Sequence, residues 1–190
     1  MIGTLTSIMG PMYAGKTSEL LKRILWLHHQ KLPIMVIKPA IDDRYSDQQE
    51  IITHTGHKFK CHYLHLDTNN QKYIFNDNVV LYESENKHTI FVDEIQFFDP
   101  EVMDYIKKWL LSGINVVVSG LDQDSAGMPF AISANLLAMS DEVFKIRSYC
   151  NTCGQPATKT QKLYDTGNRV DVGSNGMYEA RCLEHWKPKK

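Results

Sequence analysis

Eight consecutive residues near the start of the chain, Gly10, Pro11, Met12, Tyr13, Ala14, Gly15, Lys16 and Thr17, match G-x-x-x-x-G-K-[ST] without a gap. Such a loop binds phosphate. Its glycines let backbone N–H groups turn inward around an oxyanion, and a helix starting at its end adds partial positive charge. Lys16 brings a full charge to the β- and γ-phosphates of a nucleotide. The Thr17 hydroxyl is a hard oxygen ligand for Mg2+. The ligand this predicts is ATP with Mg2+.

A second acidic feature follows the apolar run Ile90-Phe91-Val92, which ends in Asp93-Glu94. A buried strand ending in an acid at the carboxyl edge of a sheet is where a phosphate-loop protein anchors its metal. Asp93 is the candidate Mg2+ ligand alongside Thr17. Glu94 is the candidate general base, able to take a proton from an attacking hydroxyl or water.

The third feature is Cys150-x-x-Cys153 followed by Cys182-x-x-His185. Two ligand pairs with two-residue gaps suit a tetrahedral Zn2+ site of three thiolates and one imidazole. Four protein ligands leave no open position, so the expected role is structural, stapling residues 154–181 into a closed loop. Cys61 sits apart and reads as a partly buried thiol. The remaining histidines, His28, His29, His54, His57, His62, His65 and His88, show no ligand spacing.

These residues need a scaffold, and the hydrophobic pattern supplies one. Residues 4–9 read as a strand, 10–15 as a loop and 16–30 as an amphipathic helix with Leu20, Leu21, Ile24, Leu25 and Leu27 at helical spacing. Pro33 ends it. Further strands are expected at 34–37, 89–92, 115–119 and 143–148, an edge strand at 59–66 and a short strand at 79–82. Helices are expected at 100–112 and 132–140, the first with Pro100 in its first turn and Gly113 as its stop. Residues 39–57 are polar and patternless and read as a flexible loop. Apolar strands alternating with helices predict an α/β fold: a mostly parallel sheet with helices on both faces, like that of P-loop nucleotide hydrolases. From about residue 149 the texture shifts to cysteine, glycine and short alternating runs. The expected division is residues 1–148 as the nucleotide-binding domain and 149–190 as a small zinc-stapled β-rich lobe.

Composition narrows the function. The 190 residues are 43% hydrophobic, enough for one packed domain with a small appendage. A formal charge of −1 argues against a nucleic-acid partner. No apolar run approaches the roughly 20 residues that span a bilayer, and the first residues lack the basic and apolar stretches of a signal peptide. The expectation is a cytoplasmic protein without a membrane partner. The guanine reader Asn-Lys-x-Asp fails, since Asn86-Lys87 continues into His88-Thr89. A compact kinase with a small-molecule acceptor fits the length best. An ATPase using water, and a nucleotide-sensing module whose zinc lobe binds a partner, are the alternatives.

Together the pieces GPMYAGKTSEL (10–20), VIKPAIDDRYS (36–46), FVDEIQFF (91–98), GLDQD (120–124), Pro129-Phe130, CNTCG and RCLEH resemble the cytosolic, zinc-containing thymidine kinases. The resemblance spans residues 5–185. It implies transfer of the γ-phosphoryl of ATP to the 5′-hydroxyl of thymidine, with deoxyuridine as a second substrate. It makes Glu94 the base for that hydroxyl, Arg44 a partner of Lys16 in steadying the transferring phosphoryl group, and Asp42 the acid near the sugar and metal. It extends the ATP-binding set from the loop to Asp93, Glu94, Ile95 and Gln96. It implies a nucleoside pocket from Met12, Asp42, Phe97, Leu121, Ser125, Phe130 and a lasso between the zinc pairs carrying Val170, Asp171, Val172, Gly173 and Tyr178. It further implies a homotetramer inhibited by thymidine triphosphate.

One departure stands out. After GLDQD the family usually continues with an aromatic–polar pair whose ring packs on the base. Here the pair is Ser125-Ala126. Serine has no face to stack on a pyrimidine, so that wall is absent or supplied from elsewhere.

Overall fold

A computed structural model of the chain describes residues 1–39, 50–52, 58–67, 72–75, 86–164, 166–169, 171 and 176–188. Asp42, Arg44, Val170, Val172, Gly173, His54, His57 and the strand expected at 79–82 lie outside the described residues.

Strand β1 (Leu5–Met9) leads through the phosphate loop into helix α1 (Lys16–His29). Strand β2 (Ile34–Pro39) follows, then β3 (Glu50–Ile52), β4 (Lys58–Lys60), β5 (His62–Asp67) and β6 (Lys72–Phe75). Strand β7 (Thr89–Val92) enters a 3-10 turn (Ile95–Phe97) and helix α2 (Val102–Leu111). Strand β8 (Asn115–Gly120), helix α3 (Ala131–Met139) and strand β9 (Glu142–Lys145) complete the sheet region. The sheet order is β6-β5-β2-β7-β8-β1-β9, parallel throughout except for the antiparallel β5–β6 pair.

Both faces of the sheet are covered because its strands are apolar on both sides. Along β1, Ile8 faces one side and Leu5 and Met9 the other. The first face, with Val36, Phe91 and Val117, packs on Leu20, Leu21 and Ile24 of α1. The second, with Met35, Ile37, Ile90, Val92, Val116 and Val118, packs on Ile106 and Trp109 of α2 and Ile132 and Leu136 of α3. Parallel strands put all their carboxyl ends on one edge, so the phosphate loop, Asp93-Glu94 and Leu121 gather there.

Several boundaries differ from the sequence reading. The edge strand expected at 59–66 is two elements: β4, which pairs with β3 outside the main sheet, and β5, which lies inside it between β2 and β6; the edge is β6, whose antiparallel pairing no periodicity announced. The segment read as loop over 39–57 contributes β3, which pairs with β4 and buries Ile51 in the core beside α1. The strand expected over 143–148 is two elements, β9 and β10 (Ser148–Tyr149). Cys61 is fully in the core rather than partly buried. Among the described residues no helix is long and apolar enough to cross a membrane.

After β9 the chain forms two short antiparallel pairs, β10 with β11 (Pro156–Ala157) and β12 (Lys159–Lys162) with β13 (Tyr178–Arg181). Among the described residues their buried apolar cluster is Cys150, Ala157 and Ala180, with Cys182 packed against it, and Tyr178 of β13 is buried as well.

Candidate active site and metal centre

The phosphate loop takes its shape from two left-handed residues. Gly15 has φ 81° at the start of α1, a conformation open to glycine, and no side-chain hydrogen bond caps the helix. Tyr13 reaches φ 62° despite its Cβ, a strained conformation of the kind stored at binding sites. Neighbours hold the loop in place: Ser148 Oγ donates to Tyr13 O at 3.0 Å, and Met12 N donates to Thr160 Oγ1 at 3.1 Å. Lys16 is buried, and its ammonium donates to Pro11 O at 2.8 Å. The first-turn N–H groups and this lysine make a cradle for an anion.

Asp93 meets the loop from the end of β7. Its N–H donates to Ile37 O at 2.9 Å, and its carboxylate accepts from Thr17 Oγ1 at 3.1 Å and from Ser119 Oγ. Burial pushes its pKa up to about 6, the Glu94 charge adds to the rise, and the Ser119 bond and the Lys38 charge oppose it. A buried acid beside a hydroxyl is a set of hard oxygens that a divalent cation relieves, so Thr17 and Asp93 fit Mg2+.

Glu94 follows at φ 51°, ψ 43°, left-handed without being glycine. The twist turns the chain from β7 into the 3-10 turn, separating the directions of the two adjacent carboxylates. Gln96 Nε2 donates to Glu94 Oε2 at 2.5 Å, while Gln96 Oε1 accepts from Leu121 N at 2.9 Å. One buried amide therefore ties the candidate base to the carboxyl end of β8. Ile95 is fully buried and packs in the core.

The residues assigned to a nucleoside pocket separate into groups. Phe98 is a core aromatic, whereas its neighbour Phe97 is half-buried. Leu121 O accepts from Ser133 Oγ at 2.6 Å. The Arg169 guanidinium lies 5.3 Å from the Phe130 ring centroid, and its Nε donates to Asp124 Oδ2 at 2.7 Å. The Tyr178 hydroxyl accepts from Asp171 N at 2.9 Å. The Asp171 carboxylate is engaged by β12 and by its own loop: Lys162 Nζ stands 2.6 Å away, Thr166 Oγ1 2.5 Å and Asn168 Nδ2 2.9 Å. Those bonds pull its pKa down to about 2. Ser125, half-buried, offers its carbonyl to Trp186 Nε1 at 3.2 Å.

The cysteine cluster assembles as its spacing requires. The ligand atoms of Cys150, Cys153, Cys182 and His185 all lie within 4.8 Å of one another, able to hold a metal ion. Cys153 Sγ and Cys182 Sγ are 3.8 Å apart, and Cys182 Sγ and His185 Nδ1 3.2 Å. Tetrahedral Zn–S bonds of about 2.3 Å require sulfurs about 3.8 Å apart, so the donor set and its spacing fit zinc. Tight turns set this geometry, with Gly154 N donating to Cys150 O at 2.8 Å and His185 N to Cys182 O at 3.2 Å. Burial would raise the Cys150 thiol, but N–H groups of Cys182, Thr152 and Cys153 outweigh it and bring it down to about 6.

Sequence reasoning missed four contributors. Lys38 is a buried cation near Asp93, signalled only by one lysine inside the apolar run of β2. Ser119 closes the apolar run of β8 and bonds Asp93. Asp124 and Arg169 join the turn after β8 to the lasso, a contact across 45 residues with no local signature.

The sequence model of the family described as "Thymidine kinase" matches residues 3–186. Proteins named thymidine kinase from three strains of Mesomycoplasma hyopneumoniae (7448, J and 232) are each 37% identical over 180 residues, covering 95% of this chain and 93% of theirs. The chain belongs to the thymidine kinase family.

Proposed function

We propose that the protein is an ATP-dependent thymidine kinase. The carrying observation is Glu94, held by Gln96 at 2.5 Å, one residue from an Asp93 that meets Thr17 at the phosphate loop. A base beside a metal-and-phosphate cradle is the arrangement that phosphoryl transfer to a hydroxyl needs.

The backbone N–H groups of residues 13–17 and the Lys16 ammonium bind the β- and γ-phosphates. Thr17 and Asp93 hold Mg2+, which supplies positive charge to the phosphate oxygens. Gln96 aims Glu94, and Glu94 takes the proton of the nucleoside 5′-hydroxyl as its oxygen bonds to the γ-phosphorus. The bond from that phosphorus to the β–γ bridging oxygen breaks, and ADP leaves. Lys16 and Arg44 balance the charge on the equatorial oxygens. Ile95 and Gln96 border the nucleotide. Met12, Asp42, Phe97, Leu121, Ser125 and Phe130 surround the nucleoside, closed by lasso residues 170–173 and Tyr178, with Asp171 ordering the lasso from inside. Lasso opening then contributes to the turnover rate.

Residues 1–148 form the nucleotide-binding domain and 149–190 the zinc lobe. Deoxyuridine is a second acceptor, and thymidine triphosphate inhibits by occupying both sites. The protein works in the cytoplasm as a homotetramer. Exposed Leu25 and Trp26 on α1, and Val143 and Phe144 on the open edge strand β9, supply apolar surface for self-association.

Thymidine monophosphate formation by the purified protein, with ATP and Mg2+, tests the reading. Glu94→Gln is expected to lower kcat by about 10²–10⁴-fold, the usual contribution of a general base, with KM for ATP unchanged. Near-wild-type kcat would remove Glu94 as base. ATP loss independent of thymidine would overturn the kinase assignment.

A further inference from the structure

The turn after β8 carries Leu121 at one exit and Phe130 at the other, yet its middle offers only small side chains, Ser125, Ala126 and Gly127. Its own bonds hold it partway: Asp124 Oδ1 accepts from Ala126 N at 3.0 Å and Met128 N at 2.9 Å, and Phe130 N donates to Asp122 O at 3.1 Å. Arg169 Nε also ties Asp124 at 2.7 Å, and a further constraint comes from Trp186, 61 residues from Ser125. The Trp186 indole lies against Gly127 so closely that a Cβ there would stand 2.6 Å from Cη2, and Gly127 has φ +80°. Trp186 Nε1 donates to Ser125 O at 3.2 Å. The Lys159 ammonium sits 4.8 Å from the indole centroid and donates to Gln123 Oε1 at 2.6 Å, so one cation joins the ring to the turn.

Trp186 is itself fastened from behind. Its N–H donates to Cys182 O at 3.0 Å. The next residue pairs with the Gln161 amide, Lys187 N donating at 2.7 Å and Lys187 O accepting at 2.8 Å. A rigid aromatic anchored to the cysteine lobe thus closes over the small-residue stretch Ser125-Ala126-Gly127 of the turn.

We propose that Trp186 is a positioning residue for the pyrimidine nucleoside, clamping the turn at 123–128 so that Leu121 and Phe130 are set for the base. This rests on the thymidine kinase reading above. The ring contributes through Ser125, Gly127 and Lys159 rather than by touching the nucleoside. A purely structural residue would depress all kinetic constants together; a clamp on this turn acts on the nucleoside alone.

The test is steady-state kinetics of Trp186→Ala, Trp186→Phe and Gly127→Ala, with metal content and melting temperature measured on each. Trp186→Ala is expected to raise KM for thymidine roughly tenfold, the loss of one hydrogen bond and one cation–π contact, with KM for ATP within about twofold. It should also shrink the melting-temperature rise that thymidine induces. Trp186→Phe keeps a ring over Gly127 and beside Lys159 but has no donor for Ser125 O, so it recovers only part of the loss. Gly127→Ala, which displaces the indole from the other side, gives the same selective rise and stands in if Trp186→Ala does not fold. Equal rises in both KM values, or a thymidine KM unmoved in the folded variants, overturn the clamp. An inactive wild type in the same assay sinks the kinase reading instead.

Discussion

The sheet and the cysteine lobe reach order by different routes. The sheet buries large apolar side chains on both faces, with Phe91, Ile8 and Leu20 on one side and Ile90, Ile106 and Trp109 on the other. Among its described residues the lobe buries Cys150, Ala157, Tyr178 and Ala180, and much of its interior is polar: Thr160, Gln161 and Lys162 are all buried. Apolar area stabilises at about 25 cal/mol per Å2, so three small side chains and one tyrosine are little to set against the entropy of ordering some forty residues. The lesson is a division of labour. The sheet, which carries the phosphate loop, is held by apolar packing, while the lobe is held by side-chain bonds around a cysteine–histidine cluster able to hold a metal ion.

Removing the metal is the most forceful way to break that contrast. Structural zinc contributes apparent free energies of about 10–16 kcal/mol in small zinc peptides. Chelation, or Cys153→Ser, is expected to abolish thymidine phosphorylation and amide protection in the lobe while protection in β1, β7 and β8 persists. Hydrogen exchange read by mass spectrometry checks this. Joint loss of protection in sheet and lobe would sink the division.

Phe91→Ala attacks the other side. Phe91 is fully buried between β7 and α1, and truncating such a ring costs about 3–5 kcal/mol. A large fall in melting temperature with metal content unchanged is expected. Metal loss at temperatures where the sheet is still folded would contradict it.

A smaller effect tests the joint between the two acids. Gln96→Ala removes the bond to Glu94 and leaves Leu121 N without its acceptor. An unsatisfied buried donor costs about 1–3 kcal/mol. The melting temperature should drop modestly, and kcat should fall more than either KM because the base is no longer aimed. An unchanged kcat would show that the φ 51° backbone aims Glu94 unaided.

The two regions also differed in how far sequence disclosed them. Strands β1, β2, β7 and β8 were legible because burial on both faces leaves unbroken apolar runs such as Val116-Val117-Val118. The phosphate-loop motif and the clustering of Cys150, Cys153, Cys182 and His185 were legible because both are matters of local spacing. Strands β3 and β6 were not: each is short, and pairing with a distant strand rather than pattern makes it. Lys38 was hidden as one polar residue in an apolar strand. Trp186 was hidden because its contacts with Ser125 and Gly127 cross the chain, and Ser125 looked like a gap rather than a seat.

The finest distinction between the regions is the sign of their response to acid. An unfolded aspartate titrates near 3.9. Asp93 in the sheet is pushed up to about 6, first by burial and then by Glu94. The folded state therefore holds its proton more tightly, and stability from this group rises as pH falls from above 6 toward 4. Asp171 in the lobe is pulled down to about 2 by Lys162, Thr166 and Asn168. Its contribution is complete above about 4 and is lost only as pH falls toward 2. Between pH 7 and 5, then, the sheet acid responds and the lobe acid does not. Melting temperatures of the nucleotide-free protein at both pH values, against Asp93→Asn, isolate the difference because histidine titration is common to both proteins. The wild type should gain relative to Asp93→Asn on acidification, and Mg2+ with ATP should cancel the gain by favouring the ionised carboxylate. Identical slopes would mean that Asp93 is already ionised in the free protein, its charge balanced by Lys38 and Ser119 before any metal arrives.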